Sequence, residues 1–287
     1  MNTKRLFINV KPGKTFLDRL TGKTKVRLFL VLILLLIQTW DMRVVVPMVI
    51  VFAAGLISLR PDKTKVSAVL IFVVLMNLFN LFLIWLVEPD YGMEVCGGST
   101  VLLRFSSFYI VTAETLWFFT VRFLKFMATF LVSLTFISCI TPSEMAAGLY
   151  SIKVPYKICT IVSLAFRYIP DITRDFHNIQ ISMQARGMEL DSRKTPLMKR
   201  LKQYVLILAP LIITSFDRVG NIVNAMDLRG FGKGKKRTYY CEHEDTRGDR
   251  ILKPVYLGLL VLFLTAAAYR VIHPPVYTVW CPWIRQM

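Results

Sequence analysis

From Val66 to Val87 the sequence runs for 22 residues without a charged side chain. A helix of that length rises about 33 Å, enough to cross the roughly 30 Å hydrocarbon layer of a bilayer. Inside lipid a backbone must satisfy its own hydrogen bonds, so a chain carrying such a run is built from spanning helices. The composition agrees, since 55% of the residues are hydrophobic and the mean hydropathy is +0.52, more than a soluble core uses. Four further apolar runs follow the same logic: Val26–Trp40, Val44–Leu59, Leu116–Ile140 and Ile251–Ile272. The first two are short for a full crossing and predict a tight helical hairpin. The fold class expected is an all-α integral membrane protein with about five transmembrane helices and amphipathic cytoplasmic helices.

The segment Met1–Arg27 is basic and leads straight into the first apolar run, as a signal peptide would. Asp41-Met42-Arg43 follows instead of a small-residue cleavage site, so the run is retained in the membrane. Gly13-Lys14-Thr15 and Gly22-Lys23-Thr24 do not make phosphate loops, because Ile8 and Leu17 stand where the first glycine is required. With 36 Lys+Arg against 18 Asp+Glu, the excess charge is read as membrane orientation and contact with anionic lipid, with no nucleic acid partner. The cysteines Cys96, Cys139, Cys159, Cys241 and Cys281 are scattered without a C-x-x-C pair, which argues against a disulfide scaffold and against a metal site.

The organisation expected has three parts: residues 1–140, a basic N-terminus with membrane helices; 141–250, a cytoplasmic region of amphipathic helices; and 251–287, a last membrane helix with a short tail. Glu88–Gly98, rich in chain breakers, reads as an exposed loop on the side opposite the N-terminus, and Val101–Thr115 as an interfacial stretch. Asn77 and Asn80 read as hydrogen-bonding glue between helices. Arg122 and Lys125 share one helical face in a span with no acidic residue, which fits either headgroup contact and packing or contact with another subunit. Thr141-Pro142-Ser143-Glu144 starts a helix. The N-terminus and residues 141–250 are expected in the cytoplasm, and the C-terminus outside.

Two helices in residues 141–250 end alike. Ile172, Phe176, Ile179 and Met183 form one apolar stripe opposite Arg174, Asp175, Asn178 and Ser182, and this helix ends in Ala185-Arg186-Gly187. In the second, Ile212, Phe216, Val219, Ile222, Val223 and Met226 form the stripe, Asp217, Arg218, Asn221 and Asn224 the polar side, and the end is Leu228-Arg229-Gly230. Glycine after each arginine is ordinary capping chemistry. Two such ends between membrane spans also suggest a docking device, because the guanidinium fork suits carboxylates and carbonyls of a partner.

On these residues the chain resembles the transmembrane T components of energy-coupling-factor transporters, including the membrane subunit of cobalt and nickel uptake systems. Ala185-Arg186-Gly187 matches the first Ala-Arg-Gly motif of that family, and in the second Leu228 replaces alanine before Arg229 and Gly230. Weaker echoes are Pro12-Gly13 through Leu20 with Lys25, Thr141-Pro142-Ser143-Glu144, and Arg167-Tyr168-Ile169-Pro170 before the first coupling helix. The resemblance implies a non-enzymatic scaffold that binds no cofactor itself. Two ABC-type ATPase subunits, which bind the ATP and Mg, would accept Ala185, Arg186, Gly187, Leu228, Arg229 and Gly230. A small membrane substrate-binding S component, importing a vitamin or other micronutrient, would lie on the apolar stripes. Two other functions compete: a dedicated subunit of a cobalt or nickel importer, and a membrane enzyme acting on lipid-linked substrates, for which Glu242-His243-Glu244-Asp245 is the only dense acidic cluster. A further basic patch, Lys233, Lys235, Lys236 and Arg237, suits anionic lipids.

Overall fold

The computed structural model describes residues 15–59, 63–97, 100–104, 110–188, 196–234, 246–272, 279 and 281–282. The sequence also reads Arg60-Pro61-Asp62-Lys63 as a turn; its first three residues, most of the basic N-terminus, Lys235 to Arg237 and the acidic cluster 242–245 lie outside the described residues. Among the described residues the protein is all-α apart from one small hairpin. Four helices among the described residues are long and apolar enough to cross a membrane: Val66–Val87, Ala113–Cys139, Leu201–Leu228 and Arg247–Arg270. Met42–Ser58 is a shorter apolar helix. The chain divides into two compact units, one of Met1–Gly148 with Glu242–Met287, the other of Leu149–Cys241.

In the first unit the organising helix is α5 (Ala113–Cys139), against which α1 (Gly22–Gln38), α2 (Met42–Ser58), α3 (Lys63–Val87) and the short α4 (Tyr91–Cys96) all pack. Leu32 and Leu36 of α1, Val45 of α2, and Ala128 and Val132 of α5 form a buried cluster. The expected tight α1–α2 hairpin gives way to a different arrangement: α2 lies along α5, and α1 lies along both α5 and α9 (Arg247–Ile272). Each short helix is apolar enough that burial on the longest central surface outweighs pairing with its equally short neighbour. Within Val101–Thr115, expected as an interfacial stretch, Val101–Arg104 (β1) and Ile110–Thr112 (β2) pair antiparallel. Glu88–Gly98, expected as an exposed loop, contains α4, whose Gly92 and Cys96 are buried; a Cβ on Gly92 would stand 2.3 Å from the Cα of Thr115.

The start of α1 is held by buried polar groups. Lys25 donates from Nζ to Asp18 O, Cys139 O and Glu144 Oε2, each at 2.9 Å. Glu144 also caps its own helix α6 (Pro142–Ser151): its Oε2 accepts the Thr141 N–H at 3.0 Å and its N–H points to Thr141 Oγ1 at 3.4 Å, a capping box. Asp249 repeats the device at α9, accepting from Thr246 N at 2.9 Å while its other oxygen accepts from Thr21 N at 3.1 Å. Each carboxylate thus closes its own helix and clamps the entry of α1. Lys25 and Thr141–Glu144, two separate echoes in the sequence, are one contact in space.

The cations of α5 find partners within the chain. Lys125 donates to Ile37 O at 2.9 Å and lies 3.8 Å over the Trp40 ring. Arg122 reaches Asn80 Oδ1 at 3.5 Å, and Asn77 Nδ2 donates to Phe123 O at 3.4 Å. This is the packing alternative for the charges and the glue reading for the two asparagines.

Candidate functional site

The second unit is dominated by α7 (Tyr156–Ala185) and α8 (Leu197–Leu228), which pack on each other. Both run unbroken through a proline, Pro170 in α7 and Pro210 in α8. The first coupling helix therefore does not begin after Arg167-Tyr168-Ile169-Pro170; that tetrapeptide lies inside it. Each proline removes a single N–H donor, and two or more helical turns on either side hold the axis.

The two helix ends share one construction. At α7, Met188 N–H donates to Met183 O at 3.1 Å and Gly187 N–H to Gln184 O at 3.0 Å; at α8, Phe231 N–H donates to Met226 O and Gly230 N–H to Asp227 O, both at 2.9 Å. These are matched Schellman closures, with the left-handed residue supplied by Gly187 (φ +90°) and Gly230 (φ +66°). In each the arginine occupies the cap position, with φ/ψ of −85°/11° at Arg186 and −84°/9° at Arg229. Both arginines are exposed, and neither guanidinium has a hydrogen-bond or ion-pair partner among the described residues. Ala185 and Gly187 are exposed as well, and Gly230 is half-buried. Leu228 is 90% exposed, so the larger side chain that replaces alanine in the second motif meets no crowding.

Asp175 and Arg218 link the two helices through an ion pair. Their separation of 43 residues is also that of Arg186 and Arg229, so the link stands equally far, about 16 Å along the helix, from both arginines. The Tyr156 and Phe231 rings meet edge to face at 5.8 Å, which brings the start of α7 to the end of α8. The helices therefore run in opposite senses past the link, and the two arginines point from opposite ends, on the order of 30 Å apart. Sequence reasoning placed both arginines but missed this link; the equal spacing of Asp175 and Arg218 ahead of the two Arg-Gly pairs was the available signal.

The stripes divide between two environments. Ile172, Phe216, Val219 and Val223 are exposed, Phe216 to 71%, while Phe176, Ile179, Met183 and Met226 are half-buried. No group of three or more His, Cys, Asp or Glu able to hold a metal occurs among the described residues.

The family described as CbiQ, cobalt transport protein, matches residues 13–240. The chain belongs to this family. Several curated relatives are each named energy-coupling factor transporter transmembrane protein EcfT. That of Exiguobacterium sibiricum is 31% identical over 147 residues, covering 47% of this chain and 55% of the relative, so the chain spans about half the length of that protein. Those of Bacillus selenitireducens and Lactococcus lactis subsp. cremoris are each 24% identical over longer alignments, covering 86% and 88% of this chain and 91% and 94% of the relatives. These are names of transporter membrane components and not of enzymes. The resemblance drawn from the two Arg-Gly ends is thus to the family that matches, and the chain is a multi-pass membrane protein.

Proposed function

We propose that this chain is the energy-coupling membrane scaffold of an energy-coupling-factor importer, transmitting ATP-driven motion to a separate substrate-binding subunit. The observation that carries this reading is the duplicated helix end: the same closure, the same cap position for arginine, and no partner for either guanidinium among the described residues. Two ABC-type ATPase subunits, which bind ATP and Mg, each accept one end, with contacts from Ala185, Arg186 and Gly187 at one and from Leu228, Arg229 and Gly230 at the other. Their opposed directions suit two sockets on two subunits better than one socket on one. The exposed apolar residues Ile172, Phe216, Val219 and Val223 offer a surface to a small membrane subunit that selects a vitamin or other micronutrient. The half-buried Phe176, Ile179, Met183 and Met226 back that surface. In this reading Leu201–Leu228, although long and apolar enough to cross, lies along the membrane rather than through it, so that the N-terminus and the α7–α8 pair are cytoplasmic, α4 and the C-terminal segment face outward, and Lys233 with the basic residues after it meets anionic lipid.

A second reading keeps the scaffold and makes it the dedicated partner of a cobalt or nickel carrier; the description of the matching family as a cobalt transport protein favours it.

The test is recovery of partners from solubilised membranes. Wild type brings down ATP-binding subunits and a small membrane protein whose ligand names the substrate. Arg186→Glu or Arg229→Glu alone weakens ATPase recovery, by about 2–5 kcal/mol if each arginine meets a buried acid, and the double variant loses it while still inserting in the membrane. Full ATPase recovery with the double variant would overturn the reading.

A further inference from the structure

Far along the chain from each other, two thiols share one buried pocket in the first unit. Cys96 ends α4 and is fully buried; Cys281 lies beyond α9 and is 1% exposed. Both belong to one apolar cluster with Phe118, Val121 and Val279, and both are buried free thiols. Cys96 Sγ also faces Glu114 O at 3.9 Å. Nothing in the coupling function uses this pair. In the topology proposed above, α4 connects two spans on the outer side, and Cys281 follows the last span to the same side. That topology places both segments on one side, where the shared cluster brings them together.

We propose that Cys96 and Cys281 are joined by a disulfide on the non-cytoplasmic side, stapling the C-terminal segment to α4 and the start of α5. The outward placement rests on the orientation in the proposed function, whereas the pairing itself does not. The bond forms by exchange with a disulfide-bearing oxidant, such as an exported dithiol oxidoreductase in its oxidised form. One cysteine thiolate attacks a sulfur of the oxidant, giving a mixed disulfide and releasing one oxidant thiolate. The second cysteine thiolate then attacks the first cysteine's sulfur and expels the other oxidant sulfur. Two electrons pass to the oxidant, which leaves as a dithiol, and the two thiol protons end on it or on water. Burial pushes both thiols above their ordinary range, that of Cys96 most, so in the closed pocket neither readily becomes a nucleophile. The exchange therefore belongs to assembly, before the C-terminal segment closes on α4, and the finished bond is shielded from small reductants afterwards.

The test traps thiols in acid-quenched whole cells. Protein is denatured, free thiols are blocked with N-ethylmaleimide, disulfides are reduced, and the new thiols are tagged with a heavy maleimide. Wild type gains two tags, Cys96→Ser and Cys281→Ser gain none, and digestion without reduction yields a peptide pair joined at residues 96 and 281. A wild type that gains no tag overturns the proposal. A parallel sample, purified in reduced form and exposed to oxidised glutathione in mild denaturant followed by refolding, then locates the fault. A bond formed there but not in cells means the outward placement is wrong, and no bond in either means the pairing is wrong. Orientation is read separately by labelling Glu94→Cys, in a Cys96→Ser/Cys281→Ser background, with an impermeant maleimide on intact cells. ATPase recovery through Arg186 and Arg229 is scored independently of all three.

Discussion

The two units of this protein use polar groups in opposite ways. In the first, carboxylates and a lysine are buried and bonded several times over: Lys25 has three acceptors, and Glu144 and Asp249 each serve a cap and a clamp at once. In the second, the linking ion pair is about one-third exposed and the two arginines end in open space. The glycines differ in the same direction. A Cβ on Gly22 would stand 2.2 Å from Glu144 O, and one on Gly148 2.4 Å from a Val26 methyl, whereas Gly220 in α8 has nothing within 4 Å. A region that must hold its shape fills its space and its hydrogen bonds; a region that must meet partners leaves both available.

That contrast breaks first at Lys25. Lys25→Met leaves Glu144 buried without its cation and should lower stability by about 3–5 kcal/mol, read as a fall in the unfolding midpoint in detergent. Glu144→Gln should cost clearly less, because the amide oxygen still accepts from Thr141 and Lys25. Next comes Gly22→Ala, where backbone must shift to admit a methyl group, at about 1–3 kcal/mol. Gly187→Ala and Gly230→Ala face no crowding, so their cost is the left-handed backbone alone, about 1–2 kcal/mol, and it should appear as fraying at the helix ends in hydrogen exchange. Asp175→Asn removes a half-open pair and should change stability by under about 1 kcal/mol, yet reduce transport, since it loosens the link between the two arms. Smallest, and opposite in sign, Gly220→Ala should stabilise by about 0.5–1 kcal/mol. A loss there comparable to that at Gly22 would show that a packed surface covers α8 in the resting protein.

What could be read from the sequence follows the range of the forces involved. The uncharged run Val66–Val87 and the two Arg-Gly closures are decided by neighbours within a few residues, and each is found where it was expected. The Lys25–Glu144 contact joins residues 119 apart, and a lysine next to a span looks like any other member of a basic flank until the fold is known. The hint was chemical: Thr141 and Glu144, like Thr246 and Asp249, have capping-box spacing, which marks carboxylates held close to backbone. Pro170 misled for the converse reason, because a local rule for breaking helices was outweighed by long flanking helices packed on each other, and α8 runs through Pro210 in the same way.

The link between Asp175 and Arg218 gives the second unit the mechanics of a balanced lever. Because α7 and α8 pass it in opposite senses with equal arms, opposed pushes at Arg186 and Arg229 form a couple, and their moments add about one fulcrum. A turn of the pair by about 10° about that fulcrum carries each tip by about 3 Å, on arms of about 16 Å. Pushes in the same direction cancel as torque and only carry the pair along. Such a lever responds to the difference between its two drivers and is indifferent to their common motion.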